Sequence, residues 1–185
     1  MKLDRLSFKI KGETPLMMSN PQAMIRKADT KGPKKRSPQE EEAEIAAYRT
    51  PKGELAFPAI GVRNSVIEAS SMHRAGRRSL TTFVSHIQIE PSDLLVVNNL
   101  KGKPVKEYEI DYRRVVNKTA GAIMVARPIV PEWMLTFELL FDAALMPSAA
   151  DELFAMLLDD AGTRIGIGAY RPAKKGWFGR FSVVE

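Results

Sequence analysis

The sequence predicts an α+β domain with a ferredoxin-like or RRM-like βαββαβ core, on three observations. Apolar and polar residues alternate near both ends of the chain with the period of half-buried strands, and two intervening segments carry helical spacing. The elements also run strand, helix, strands, then strand, helix, strand.

Leu6, Phe8 and Ile10 alternate with Ser7, Lys9 and Lys11, a strand with one buried face that Gly12 to Pro15 closes. Residues 21–50 read as a flexible basic and acidic loop: Arg26, Lys27, Lys31, Lys34, Lys35 and Arg36 gather around Gly32 and Pro33, and Glu40 to Glu44 follow. A short helix over 39–48 fits its end. After Leu55 to Pro58, residues 59–75 read as a helix that Gly76 ends, with Val62 and Val66 on its core side. Arg63 and Arg74 would lie about 20° apart around that helix and share a face.

Residues 80–97 read as one or two strands, with Phe83, Ile87 and Ile89 on one face and Pro91 as an interruption. Asn98 to Pro104 is turn-rich, and Tyr108–Val116 pairs with Ala122–Arg127 around Asn117 to Gly121, which makes 98–127 an inserted hairpin region. Leu135, Phe137, Leu139 and Phe141 alternate along a further strand. Pro147-Ser148 opens a helix with Asp151 and Glu152 where the macrodipole favours acids, Leu153, Phe154 and Leu157 on its apolar face, and Gly162 as its stop. Arg180 to Val184 is the last strand, with Phe181 and Val183 on one side.

Composition narrows the chemistry. The 185 residues carry 28 Lys and Arg against 22 Asp and Glu, for a net charge of +6, with two histidines and no cysteine. One domain over 1–185 is expected, and 44% hydrophobic residues suffice for its core. Without cysteine, the usual zinc sites, iron–sulfur clusters, disulfides and thiol nucleophiles are excluded, so no metal and no cofactor is expected. The first residues lack the apolar region of a signal peptide, and no run of about 18 apolar residues occurs, so a cytoplasmic protein with no membrane partner is expected. The basic balance fits a polyanion partner.

The segment from Gly162 to Phe181 is the most informative. Five glycines up to Gly179, among them Gly166 and Gly168, permit close backbone approach to a ligand with N–H groups open to anionic oxygens, and Arg164, Arg171, Lys174, Lys175 and Arg180 are interleaved without an acid. Gly166-Ile167-Gly168 is not a dinucleotide fingerprint, because the third glycine is missing and the segment follows a helix. The plainer alternative is a connection solvated by its own charges.

Four segments in order resemble the RAMP superfamily of CRISPR effector proteins, in particular the backbone subunits that polymerise along guide RNA. They are the first strand with Thr14-Pro15-Leu16, the run Phe57 to Val66, the run Arg127-Pro128-Ile129-Val130-Pro131 leading into the strand that ends at Phe141, and the glycine-rich segment. Short stand-alone phage and prophage proteins have a similar ending. The resemblance implies an RRM-like core that binds single-stranded RNA in an electropositive groove, often with self-association or with other effector-like subunits. Some RAMP subunits cleave RNA with an aspartate in the loop that here holds Asp29, but nothing around Asp29 matches a catalytic arrangement.

The charge pattern agrees with a single-stranded RNA or single-stranded DNA partner. The binding residues expected are Arg26, Lys27, Lys34, Lys35 and Arg36 in the loop; Arg63, Asn64, Arg74, Arg77 and Arg78 on the helix and its end; and Gly166, Gly168, Arg171, Lys174, Lys175, Trp177 and Arg180 in the glycine-rich segment. The loop after the first strand and the loop before the last would adjoin, each belonging to a central strand of the sheet. Trp177, Tyr170, Phe178 and Tyr48 are candidate stacking platforms, each also readable as a packing residue, whereas Trp133 reads as core. His73 and His86 are the only imidazoles for acid–base work, and neither has a supporting Ser or Lys constellation. A non-enzymatic single-strand binder leads. A metal-independent endoribonuclease using a histidine, and an effector-subunit mimic or assembly protein that meets another protein, stand as alternatives.

Overall fold

The computed structural model describes residues 3–22, 39–117 and 121–184. The chain is mixed α+β with antiparallel sheets. Eleven strands are described: β1 (Asp4–Gly12), β2 (Leu16–Met17), β3 (Ala56–Pro58), β4 (Arg74–Ala75), β5 (Arg78–Ser79), β6 (Gln88–Glu90), β7 (Leu94–Val96), β8 (Glu109–Asn117), β9 (Gly121–Val130), β10 (Met134–Phe141) and β11 (Phe181–Val184). Among the described residues the α-helices with given bounds are α1 (Gln39–Ala46), α2 (Ala59–Ser70), α3 (Thr81–Val84) and α4 (Ala150–Asp160). Among the described residues, no helix is long and apolar enough to cross a membrane.

The main sheet has the order β11-β1-β10-β6, and every pairing in it is antiparallel. Its register sets Leu6 against Leu139, Phe8 against Phe137 and Ile10 against Leu135, so the period-two pattern of both strands meets on one face. That face joins one core with Val62, Val66 and Ala69 of α2 and Leu153, Phe154 and Leu157 of α4. Phe141 and Phe154 pack with ring centroids 5.1 Å apart. The opposite face carries Arg5, Ser7 and Lys9 beside Leu140, Glu138 and Thr136, and among the described strand residues no aromatic side chain. The last strand lies at an edge of the sheet, not at its centre as expected from sequence; it still pairs with β1.

A second sheet, β2-β9-β8, consists mainly of the expected hairpin, and α1 packs on it. Glu44 of α1 binds Arg49 at 2.5 Å and accepts from the Tyr108 hydroxyl at 2.9 Å. Arg49 also donates to the carbonyls of Gly53 and Lys106. This clasp ties α1 to the chain ahead of β8.

Three elements differ from expectation. Helix α2 ends at Ser70, five residues early, because the Ser70 and Ser71 hydroxyls bond the carbonyls of Ile67 and Glu68 and compete with a continuing helix. Arg74-Ala75 then pairs with Arg78-Ser79 across the tight turn Gly76-Arg77, so Arg74 is not on the helix and shares no face with Arg63. Residues 81–84 form a helical turn where a strand was expected, which leaves strands only at 88–90 and 94–96. Gly162 does not stop α4. The chain continues as a π-helical turn to Ile165 and stops at Gly166, whose φ of +68° suits glycine.

The clasp makes stability depend on pH at both ends. The bond to Arg49 lowers the Glu44 pKa from its ordinary value, so its contribution is present above about pH 4.5 and is lost as pH falls through the lowered folded value. Burial and the Glu44 bond push Tyr108 up to about 12, so its contribution is present below pH 10 and is lost as pH rises towards 12. Urea midpoints measured against pH should fall at both ends, with Glu44→Gln flattening part of the acid limb and Tyr108→Phe part of the alkaline limb.

Candidate nucleic-acid interface

The glycine-rich segment is sewn to the chain that follows β1. Gly179 N–H donates to Pro15 O at 2.9 Å, Ala169 N–H to Met17 O at 2.9 Å and Glu13 N–H to Arg180 O at 2.8 Å. The Thr14 hydroxyl donates to Trp177 O at 2.8 Å and accepts from Arg180 N–H at 3.0 Å. The Trp133 indole, fully buried as expected, donates to Thr14 O at 2.8 Å. These bonds use main-chain donors that the sequence reading assigned to a ligand. Gly166 N–H, for example, goes to Ala161 O at 2.7 Å. Glycine is required here by close approach: a Cβ at Gly168, where φ is +80°, would collide with the Met17 carbonyl oxygen.

Between Gly168 and Gly179 the loop folds on itself, with Gly176 N–H bonded to Arg171 O and Phe178 N–H to Tyr170 O. Tyr170 and Lys175 have φ values of 50° and 60°, a left-handed conformation that costs non-glycine residues and persists only where surroundings hold it. Arginines of the second sheet hold Tyr170. The Arg113 guanidinium lies 5.1 Å from the Tyr170 centroid and 4.9 Å from Phe178, and Arg127 lies 5.1 Å from Tyr170. Asp111 binds Arg113 and raises its pKa further, so the cation is fixed. Phe178 is buried and meets Trp177 edge to face at 5.6 Å, while Trp177 itself is 67% exposed. Sequence reasoning passed over Arg113 and Arg127 because the approach of β8 and β9 to this loop is a matter of tertiary packing between distant segments.

The expected site residues divide. Lys174, Lys175 and Arg180 are exposed and make no ion pair among the described residues. Arg171 is mostly buried and pairs with Glu68 of α2 at 3.1 Å. Asn64 is exposed on α2, near the same loop, to which the buried Ser65 hydroxyl donates through Gly166 O at 3.1 Å. The first turn of α2 has no side-chain cap and no acid. Arg63 bonds within the fold. Its guanidinium donates to Ile87 O at 2.7 Å and to Ser85 O, closing the end of α3, and so is occupied structurally. Arg74, Arg77 and Arg78 stand exposed on the β4–β5 hairpin as a separate basic group. Arg26, Lys27, Lys34, Lys35 and Arg36, with Asp29, lie outside the described residues.

Beside that hairpin, His73 Nε2 meets Asp160 Oδ2 at 2.6 Å, and Arg164 Nε meets Asp160 Oδ1 at 3.0 Å. His86 accepts weakly from Asp142 N–H at 3.5 Å and lies in a turn, not on a strand. Among the described residues, no group of three or more His, Asp or Glu side chains converges as a metal site. No family model matches the chain, and no curated protein matches its sequence.

The division between structural and free arginines is measurable. Arg63→Ala should lower unfolding free energy by about 2 kcal/mol, because it orphans two carbonyls bonded by a charged group, whereas Arg74→Ala should stay within about 0.5 kcal/mol of wild type in urea denaturation.

Proposed function

We propose that this protein is a non-enzymatic binder of single-stranded RNA with a ferredoxin-like, RRM-like βαββαβ core, related to RAMP backbone subunits. The fold reading is supported by the order β11-β1-β10-β6, with α2 between β1 and β6 and α4 between β10 and β11. The kinship is supported by the four resembling segments. Two of them, Thr14-Pro15-Leu16 and the glycine-rich loop, are bonded to each other.

One observation carries the function: Trp177 stands exposed on the same loop as Lys174, Lys175 and Arg180, which have no ion-pair partner among the described residues, and the main chain of that loop is pinned to the end of β1 and to β2. The cations meet phosphates and give affinity that falls with salt. The indole offers a face to any base. Because the open face of the sheet has no aromatic side chain among the described strand residues, stacking moves from the sheet, where RRM domains place it, to the loop. Self-association or assembly with other effector-like subunits is supported by the apolar end of the β8–β9 hairpin, where Val116, Ile123 and Met124 are exposed.

Fluorescence polarisation with labelled single-stranded RNA across a salt series tests the reading. Replacing Lys174 and Lys175 by Ala should reduce the slope of log K against log salt by about 0.7 for each. Trp177→Ala should weaken binding by about 1–3 kcal/mol and leave the slope unchanged. A single-stranded DNA competitor separates RNA from DNA. Absence of binding at low salt sinks the proposal.

The His73–Asp160 pair beside Arg74, Arg77 and Arg78 favours a second reading, a metal-independent endoribonuclease in which Asp160 orients His73 as the base. On that reading wild type cleaves RNA in chelator and His73→Ala does not; RNA left intact after long incubation with wild type removes it.

A further inference from the structure

A groove of about 260 Å³ lies between the start of α2 and the glycine-rich loop. Tyr48, Pro58, Ile60, Gly168, Ala169 and Arg171 line it. Gly168 cannot carry a side chain, so its main chain is itself part of the lining. Ile60 is 54% exposed, a large aliphatic surface left open to solvent. Among the described residues Arg171 is the only charged one in the lining, and none of them is an acid.

We propose that this groove takes a single nucleobase of the bound strand, with the adjoining phosphate on Arg171 and the backbone running on towards Lys174 and Lys175. The inference rests on the strand-binding reading above. The groove falls below the range of about 300–1,000 Å³ typical of drug-sized ligands and has room for one planar base. Its mostly apolar lining does not suit a hydrated phosphate alone, and Arg171 suits an anion attached to a planar ring. The Glu68 partner of Arg171 is 43% exposed, so their pair is screened by water, and a phosphate can replace it with a charge-assisted bond to the guanidinium. Continuity supplies the strand, because Arg171 leads directly into the turn that bears Lys174, Lys175 and Trp177.

Amide spectra of the ¹⁵N-labelled full chain, titrated in parallel with a nucleoside 5′-monophosphate, ribose 5-phosphate and inorganic phosphate, test this. The expected result is saturable shifts at Ile60, Gly168 and Ala169 with the nucleotide and none there with the other two. Ile60→Trp, a change at an exposed position, fills the groove and should weaken the nucleotide response about tenfold. Equal shifts with nucleotide and ribose 5-phosphate overturn the proposal. RNA binding without groove shifts also overturns it and leaves the strand-binding reading standing; groove shifts without RNA binding support the groove and overturn that reading instead.

Discussion

The seam between Thr14–Met17 and the glycine-rich loop is the constraint on which the rest of the molecule depends. Backbone bonds from Gly179, Ala169 and Glu13 close it, and the Thr14 side chain bonds on both sides of Phe178. Trp133 supports the seam from within the core by donating to Thr14 O, and a Cβ on Gly12 would collide with its indole. A loop with this many main-chain bonds has a fixed backbone, which carries Lys174, Lys175 and Trp177 at set positions.

The seam also joins the two sheets. Main-sheet strand β1 runs into β2, which pairs with β9, and β9 and its neighbour β8 return Arg127 and Arg113 to Tyr170 and Phe178. Cation–π contacts in a partly desolvated setting contribute about 0.5–2 kcal/mol each, against about 0–1 kcal/mol for a surface ion pair. The stack therefore outweighs pairs such as Arg171–Glu68 in holding the loop.

Much of the framework was legible because burial imposes short periods. The alternations of β1 and β10 placed their inner faces correctly, and Val62, Val66, Leu153, Phe154 and Leu157 occupy the core positions their spacing indicated. Helix limits were less legible. Ser70 and Ser71 end α2 through side-chain bonds that propensity does not register, and Gly162 stands inside a helical turn because Phe181 packs against it, not because the helix stops there. The site was legible in composition but not in roles: Arg63 and Arg171 look like Lys174 and Lys175 in sequence, yet two carbonyls hold the first and Glu68 the second.

The sequence by itself determined a cysteine-free, basic α+β chain whose cations gather beside glycines near its C-terminal end, since charge, cysteine content and hydrophobic period are local properties. Tertiary structure decided which of those cations are free. An arginine's availability depends on which carbonyls and carboxylates the fold brings within about 3 Å of it, and the partners of Arg63, Ser85 and Ile87, lie 22 and 24 residues away along the chain. It also decided that the glycines serve a backbone seam, because close approach between distant segments is a property of packing and not of composition.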